Sequence, residues 1–153
     1  MLLKSFKRSA ALSIAILALG GCSSTTLIPL PEFNTPDVEL DALYARGIFN
    51  WWEVDERYKL INEGSGVHSV SLELIADGQP YDFKLADSVW SPHANCGSED
   101  YVTQLQVNET YRLVCEEESQ NVQFTPSKTG QYKLRVTKDP SDDNALFLTV
   151  VIN

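Results

Sequence analysis

The stretch that decides the fold is Gly66-Val67-His68-Ser69-Val70-Ser71-Leu72-Glu73-Leu74-Ile75-Ala76-Asp77-Gly78-Gln79-Pro80-Tyr81-Asp82-Phe83-Lys84-Leu85-Ala86. His68, Val70, Leu72 and Leu74 alternate with Ser69, Ser71 and Glu73. A period of two puts one set on each face of a half-buried strand. Asp77-Gly78-Gln79-Pro80 is a turn by composition. Beyond it Tyr81, Phe83 and Leu85 alternate with Asp82, Lys84 and Ala86, so Lys84 is expected to point outward.

The same period continues outward in both directions. Leu40, Leu43 and Ala45 lead into a first strand expected to end near Phe49, and 58–61 is a short apolar run. After a long polar loop at 87–100, strands are expected at 102–107, 111–115, 122–124, 132–136 and 145–152. Pro126-Ser127-Lys128-Thr129-Gly130 is a turn, and Asp139 to Asn144 is a loop. No amphipathic helical stretch follows residue 37. Seven to nine short strands with turn residues between them give an all-β antiparallel sandwich of immunoglobulin-like type, a closed barrel being the alternative. The strands are too short and too polar for an outer-membrane barrel.

Lys4, Lys7 and Arg8 precede an apolar run over residues 10–19, and Leu19-Gly20-Gly21-Cys22 follows. A basic start, a short apolar middle and small residues at the end make a secretory signal. The run is about half of the roughly 20 residues that a spanning helix needs. Leu-Gly-Gly-Cys resembles the lipobox of bacterial lipoprotein precursors. The resemblance implies cleavage after residue 21 and acylation of Cys22, and more than one acyl chain anchors a domain stably. Ser23 stands where an Asp would retain such a protein at the inner membrane, which favours the outer membrane of a bacterial envelope. Ser23-Ser24-Thr25-Thr26 and Pro29, Pro31 and Pro36 then form a flexible tether. The expected organisation is a signal peptide at 1–21, a lipidated tether at 22–37 and a β-sandwich domain at 38–153.

The chain has 153 residues, 12 Lys and Arg, 21 Asp and Glu, and net charge −9. Loss of the basic signal leaves the rest more acidic still. Such a surface argues against nucleic acid and against adhesion to anionic headgroups. With Cys22 acylated, Cys96 and Cys115 remain, and in an oxidising compartment they have one possible pairing. That disulfide would close a loop of about 20 residues and add roughly 3 kcal/mol.

All three tryptophans lie in two segments, Arg46-Gly47-Ile48-Phe49-Asn50-Trp51-Trp52 and Tyr81-Asp82-Phe83-Lys84-Leu85-Ala86-Asp87-Ser88-Val89-Trp90. These segments, with Gly66-Val67-His68 to Leu74 between them and Asn95-Cys96-Gly97 after them, resemble the starch- and glycogen-binding early-set β-sandwich modules appended to pullulanases and amylase-family enzymes. The match runs from about Leu43 to Gly97; Thr129-Gly130-Gln131-Tyr132 and residues 145–150 fit the closing strands more loosely. Carried over by position, the resemblance implies sugar contacts from Trp52, Lys84 and Trp90, with Asn95 in place of a late family asparagine. Trp51 joins these candidates as the neighbour of Trp52. The insertion that holds Cys96 and Cys115 departs from the small glycogen-binding modules.

The chemistry agrees with that implication. A flat indole stacks on the apolar C–H face of a sugar, and an amine or amide binds its hydroxyls. Adjacent Trp51 and Trp52 in an extended segment would put one indole in and one out. His68 lies on the apolar face of its strand and reads as a packed histidine, and two isolated histidines make no metal site. Asp139, Asp142, Asp143 and Asn144 match no calcium loop. No phosphate loop, Gly-x-Ser-x-Gly motif or Ser/His/Asp grouping is present, so no catalytic residue, metal or cofactor is expected and the chain is read as a non-enzyme. The leading expectation is an outer-membrane-anchored lipoprotein that binds α-glucan or a related polysaccharide. The alternative is a non-catalytic lipoprotein that braces an envelope protein complex without sugar.

Overall fold

A computed structural model describes residues 37–153. The expected signal peptide, Cys22 and the expected tether up to residue 36 lie outside the described residues. The described chain is an all-β sandwich of ten strands: β1 (Tyr44–Gly47), β2 (Ile61–Gly64), β3 (Val67–Leu74), β4 (Tyr81–Ala86), β5 (Asn95–Gly97), β6 (Thr103–Leu105), β7 (Thr110–Cys115), β8 (Val122–Phe124), β9 (Gly130–Asp139) and β10 (Asp142–Ile152). Helical structure among the described residues is confined to four 3₁₀ turns. No helix there is long and apolar enough to cross a membrane.

The strands hydrogen-bond in the order β2-β3-β9-β10-β7-β5-β4-β8-β6, with β1 on β4. The sheet folds over so that the β3-β9-β10-β7 half faces the β4-β8 half. Phe124 and Tyr132, on strands that are not neighbours, meet edge to face at 5.0 Å between ring centroids. The alternation read from the sequence explains the core. Val70, Leu72 and Leu74 of β3, Tyr132, Leu134 and Val136 of β9, and Leu146, Leu148 and Val150 of β10 point inward. Phe83 and Leu85 of β4 with Val122 and Phe124 of β8 meet them. Each large apolar side chain buried in this way contributes about 1.5–3 kcal/mol. Val38 is already fully buried.

Several local expectations change. The first strand is only four residues, flanked by 3₁₀ turns at Leu40–Ala42 and Ile48–Asn50. The 87–100 loop contains β5, and the 139–144 loop is replaced by a tight turn into which β9 and β10 run. There Asp139 and Asp142 both accept from Arg112. β6 pairs parallel to β8, an exception in an otherwise antiparallel sheet. His68 is buried as expected, and its Nε2 lies 3.0 Å from an Asp41 carboxylate oxygen.

The two halves meet where β7 hands over to β5. Cys96 and Cys115 are directly opposite in that register, their Cα atoms 3.9 Å apart, and they form the disulfide. The bridge therefore fixes the fold-over as well as closing a loop. The Cys96→Ser/Cys115→Ser variant is expected to lose about 3 kcal/mol in urea unfolding; a wild-type midpoint would contradict this role.

Candidate glycan-binding site

The site forms beside the antiparallel β1–β4 pair, where the Arg46 side chain reaches both the turn that follows β1 and the turn that follows β4. The first turn carries Trp51 and Trp52. Asn50 builds it: Oδ1 accepts from the Gly47 amide at 2.9 Å, and Nδ2 donates to the carbonyls of Ala45 and Glu53, each at 3.0 Å. The Trp52 amide donates back to the Gly47 carbonyl. Gly47 is glycine because a Cβ there would collide with the Asp82 carbonyl and the Phe83 Cβ of β4. The second turn carries Trp90 and is built by Asp87, whose Oδ1 accepts from the amides of Val89 and Ser91. Burial pushes the Asp87 carboxyl up. The hydrogen bonds from Ser91, Val89 and Trp90 outweigh that and hold it below the ordinary aspartate range.

Arg46 of β1 joins the two turns. It is 5% exposed. Its Nε donates to the Trp52 carbonyl at 2.8 Å, and its Nη1 donates to the Asp87 carbonyl at 2.9 Å. Its guanidinium lies 4.0 Å from the centre of the Trp90 ring, a cation–π stack. The outcome is a pair of half-buried indoles, Trp52 and Trp90, with centroids 6.3 Å apart and planes inclined by 39°.

All three tryptophans have left-handed backbones, with φ of 56° at Trp51, 63° at Trp52 and 60° at Trp90. Bulky residues rarely occupy that region, and such positions gather at functional sites. The extended segment expected for Trp51-Trp52 is therefore corrected to a left-handed turn. Trp51 is 86% exposed, and Trp52 is half-buried against Trp90.

Lys84 and Asn95 take different places from those expected. Lys84 does lie opposite Phe83 and Leu85, but it is 7% exposed, not on the surface. Residues 116–120 fold back over it. Its Nζ donates to the Ser119 carbonyl, and Gln120 pairs with Ser98 just past the end of β5. A Cβ on Gly97 would collide with the Gln120 carbonyl oxygen, so this close crossing requires glycine. Asn95 is also buried: Nδ2 donates to the Glu117 carbonyl at 3.1 Å, and its main-chain carbonyl accepts from Ser119 Oγ at 2.7 Å. The segment that follows Cys115 supplies this cover, and alternation along β4 alone does not reveal it. The tryptophan pair is thus assembled without an exposed Lys84 or Asn95 beside it. The residues not assigned a role from the sequence are Arg46, Asn50 and Asp87. Their signal was a polar residue at the head of each tryptophan turn.

Comparison with solved structures gives "Ligand induced structure of AmyP-SBD", a starch-binding domain, at TM-score 0.53 and 18% identity, covering 96% of this chain and 100% of that chain. That likeness shows that the two chains share a β-sandwich fold. A scan against family models and a search of curated proteins found no match.

Two outcomes follow. Arg46→Met is expected to lower stability by about 2–3 kcal/mol, with Arg46→Lys restoring little, because an ammonium has no planar fork; urea unfolding followed by indole emission reads this, and a wild-type midpoint for Arg46→Met would contradict it. Burial lowers the Lys84 amine from 10.5 to about 8. Above pH 8 the unfolded chain keeps a proton that the folded chain has shed, so stability rises with pH. Unfolding from pH 8 to about 9.5, below the ordinary tyrosine range, should show this rise in wild type and not in Lys84→Met.

Proposed function

We propose that this chain is a bacterial lipoprotein, held at the outer membrane through Cys22, whose β-sandwich binds α-glucan or a related neutral polysaccharide and has no catalytic activity of its own. The observation that carries the reading is the Trp52–Trp90 pair, centroids 6.3 Å apart and inclined by 39°. Two coplanar rings would suit a flat ribbon. Inclined rings suit a chain that curves, as α-linked glucans do. Folding alone gives little reason to place two large indoles, half-exposed, on left-handed residues. The backbone strain there is on the order of 1 kcal/mol per residue. Stacking on sugar C–H faces supplies a reason. The acidic surface of the chain turns away anionic polymers and leaves neutral sugars unaffected.

The starch-binding-domain fold supports the same substrate class, and the Leu19-Gly20-Gly21-Cys22 motif supports the anchor. Lys84 and Asn95 are not included in the contact set. Both are engaged with the carbonyls of residues 117 and 119.

Affinity electrophoresis in gels containing glycogen, pullulan or a β-glucan tests the reading. Wild type is expected to be retarded by the first two and not by the third, and the Trp52→Ala/Trp90→Ala variant to run freely in all. Equal mobility of wild type and the variant in every gel would overturn it. A stoichiometric protein partner recovered from membranes, with no retardation by glycan, would favour the bracing role instead.

A further inference from the structure

Trp51 is a large side chain that the folded state does not use. It is 86% exposed. Among the described residues no aromatic stack or cation–π contact involves it, whereas Trp52 and Trp90 have both each other and Arg46. Its backbone is left-handed, with φ 56° and ψ 29°, at the C-cap of the Ile48–Asn50 turn. Glycine or asparagine takes that position with little strain; a bulky side chain there costs on the order of 1–2 kcal/mol. The turn that presents it is fixed by Asn50 on both sides and by the Trp52-to-Gly47 hydrogen bond. The indole is therefore held out in water on a rigid support, and neither packing nor backbone preference accounts for it.

Its direction follows from the same geometry. Two consecutive helical-type residues turn the side chain by about 100°, where an extended pair would send the indoles to opposite faces. Trp51 is exposed and its neighbour Trp52 is half-buried, so the two indoles are not divided between core and solvent. Around Trp51 the same turn exposes Ile48 at 43% and Val54 at 39%, and the adjoining turn exposes Val89 at 75%. Arg46 ties those two turns together, so these exposed apolar residues stand on the same two turns as the tryptophan pair. The exposed charge within the first turn is Glu53, which disfavours an acidic polymer.

We infer that Trp51 is a third sugar-stacking residue, which lengthens the Trp52–Trp90 platform so that the site selects a long neutral glucan chain over a short oligosaccharide. This rests on the glucan reading above. Two rings serve a short sugar fully, and only a longer chain reaches the third. Trp51 then acts on chain-length selectivity and contributes nothing to folding.

Calorimetric titration of the full chain, of Trp51→Ala and of Trp52→Ala/Trp90→Ala with maltotriose and maltoheptaose tests this. Trp51→Ala is expected to lose about tenfold in affinity for maltoheptaose, one stacked ring's worth, and to bind maltotriose as wild type does. The double variant should bind neither. Wild type binding maltoheptaose no more tightly than Trp51→Ala does would overturn the inference and leave the glucan reading standing. Absence of binding by wild type would overturn both. Thermal unfolding of Trp51→Asn gives an independent readout: Tm at or above wild type is expected from relief of the left-handed strain, and a clear fall in Tm would show that folding does use Trp51 and overturn the inference.

Discussion

The guanidinium of Arg46 is the contact on which the tryptophan face depends. It bridges two turns that come from different parts of the chain, with one hydrogen bond to Trp52, one to Asp87 and its plane over Trp90. Neither turn would hold its tryptophan at a fixed spacing alone, because each is a short, left-handed excursion at a strand end. A buried guanidinium is costly unless its donors are satisfied. Here the carbonyls that satisfy them belong to the turns themselves. Burial of Arg46 and alignment of the tryptophans are therefore a single requirement, and β1 exists largely to deliver this side chain next to β4.

The strand pattern was legible because one physical rule governs it. Alternation at 67–74 and 132–136 largely reflects one face in the core and one outside; strands form at both places, the second running longer than read, over Gly130–Asp139. The rule fails where cover comes from elsewhere. Lys84 alternates correctly with Phe83 and Leu85, yet residues 116–120 lie over it, and nothing local to β4 encodes that return. The 3₁₀ turns beside β1 were equally hidden. Asn50 and Gly47 look like ordinary turn residues until their partners, Ala45, Glu53 and Asp82, are brought near. The positive φ angles of the tryptophans contradict their local preference and are imposed by Asn50, Asp87 and Arg46. Residues that break a local rule in this way mark where the fold serves something other than its own stability.

The disulfide and the buried lysine belong to the same design. Cys96–Cys115 pins the place where the sheet folds over, and the residues that follow Cys115 run directly across Lys84 and Asn95. A sheet that carries an aromatic face at one end needs its two halves held in register, and this joint does so. The joint also removes from the surface the two polar residues that the resemblance to glycogen-binding modules had put there. In the proposed reading, recognition rests on stacking against an inclined pair, extended by Trp51, with few charged groups taking part. Tethering through Cys22 would hold such a weakly polar, stacking-based site close to the envelope, where local concentration compensates for modest affinity.

The central claim is that the tryptophan face meets a sugar. The chain has three tryptophans, so its indole N–H groups give three resolved cross-peaks in a nitrogen–proton correlation spectrum. Titration with maltoheptaose is predicted to move the peaks of Trp52 and Trp90 together, with Trp51 following, along one saturating isotherm. Three indole peaks that stay fixed at saturating sugar would contradict the account.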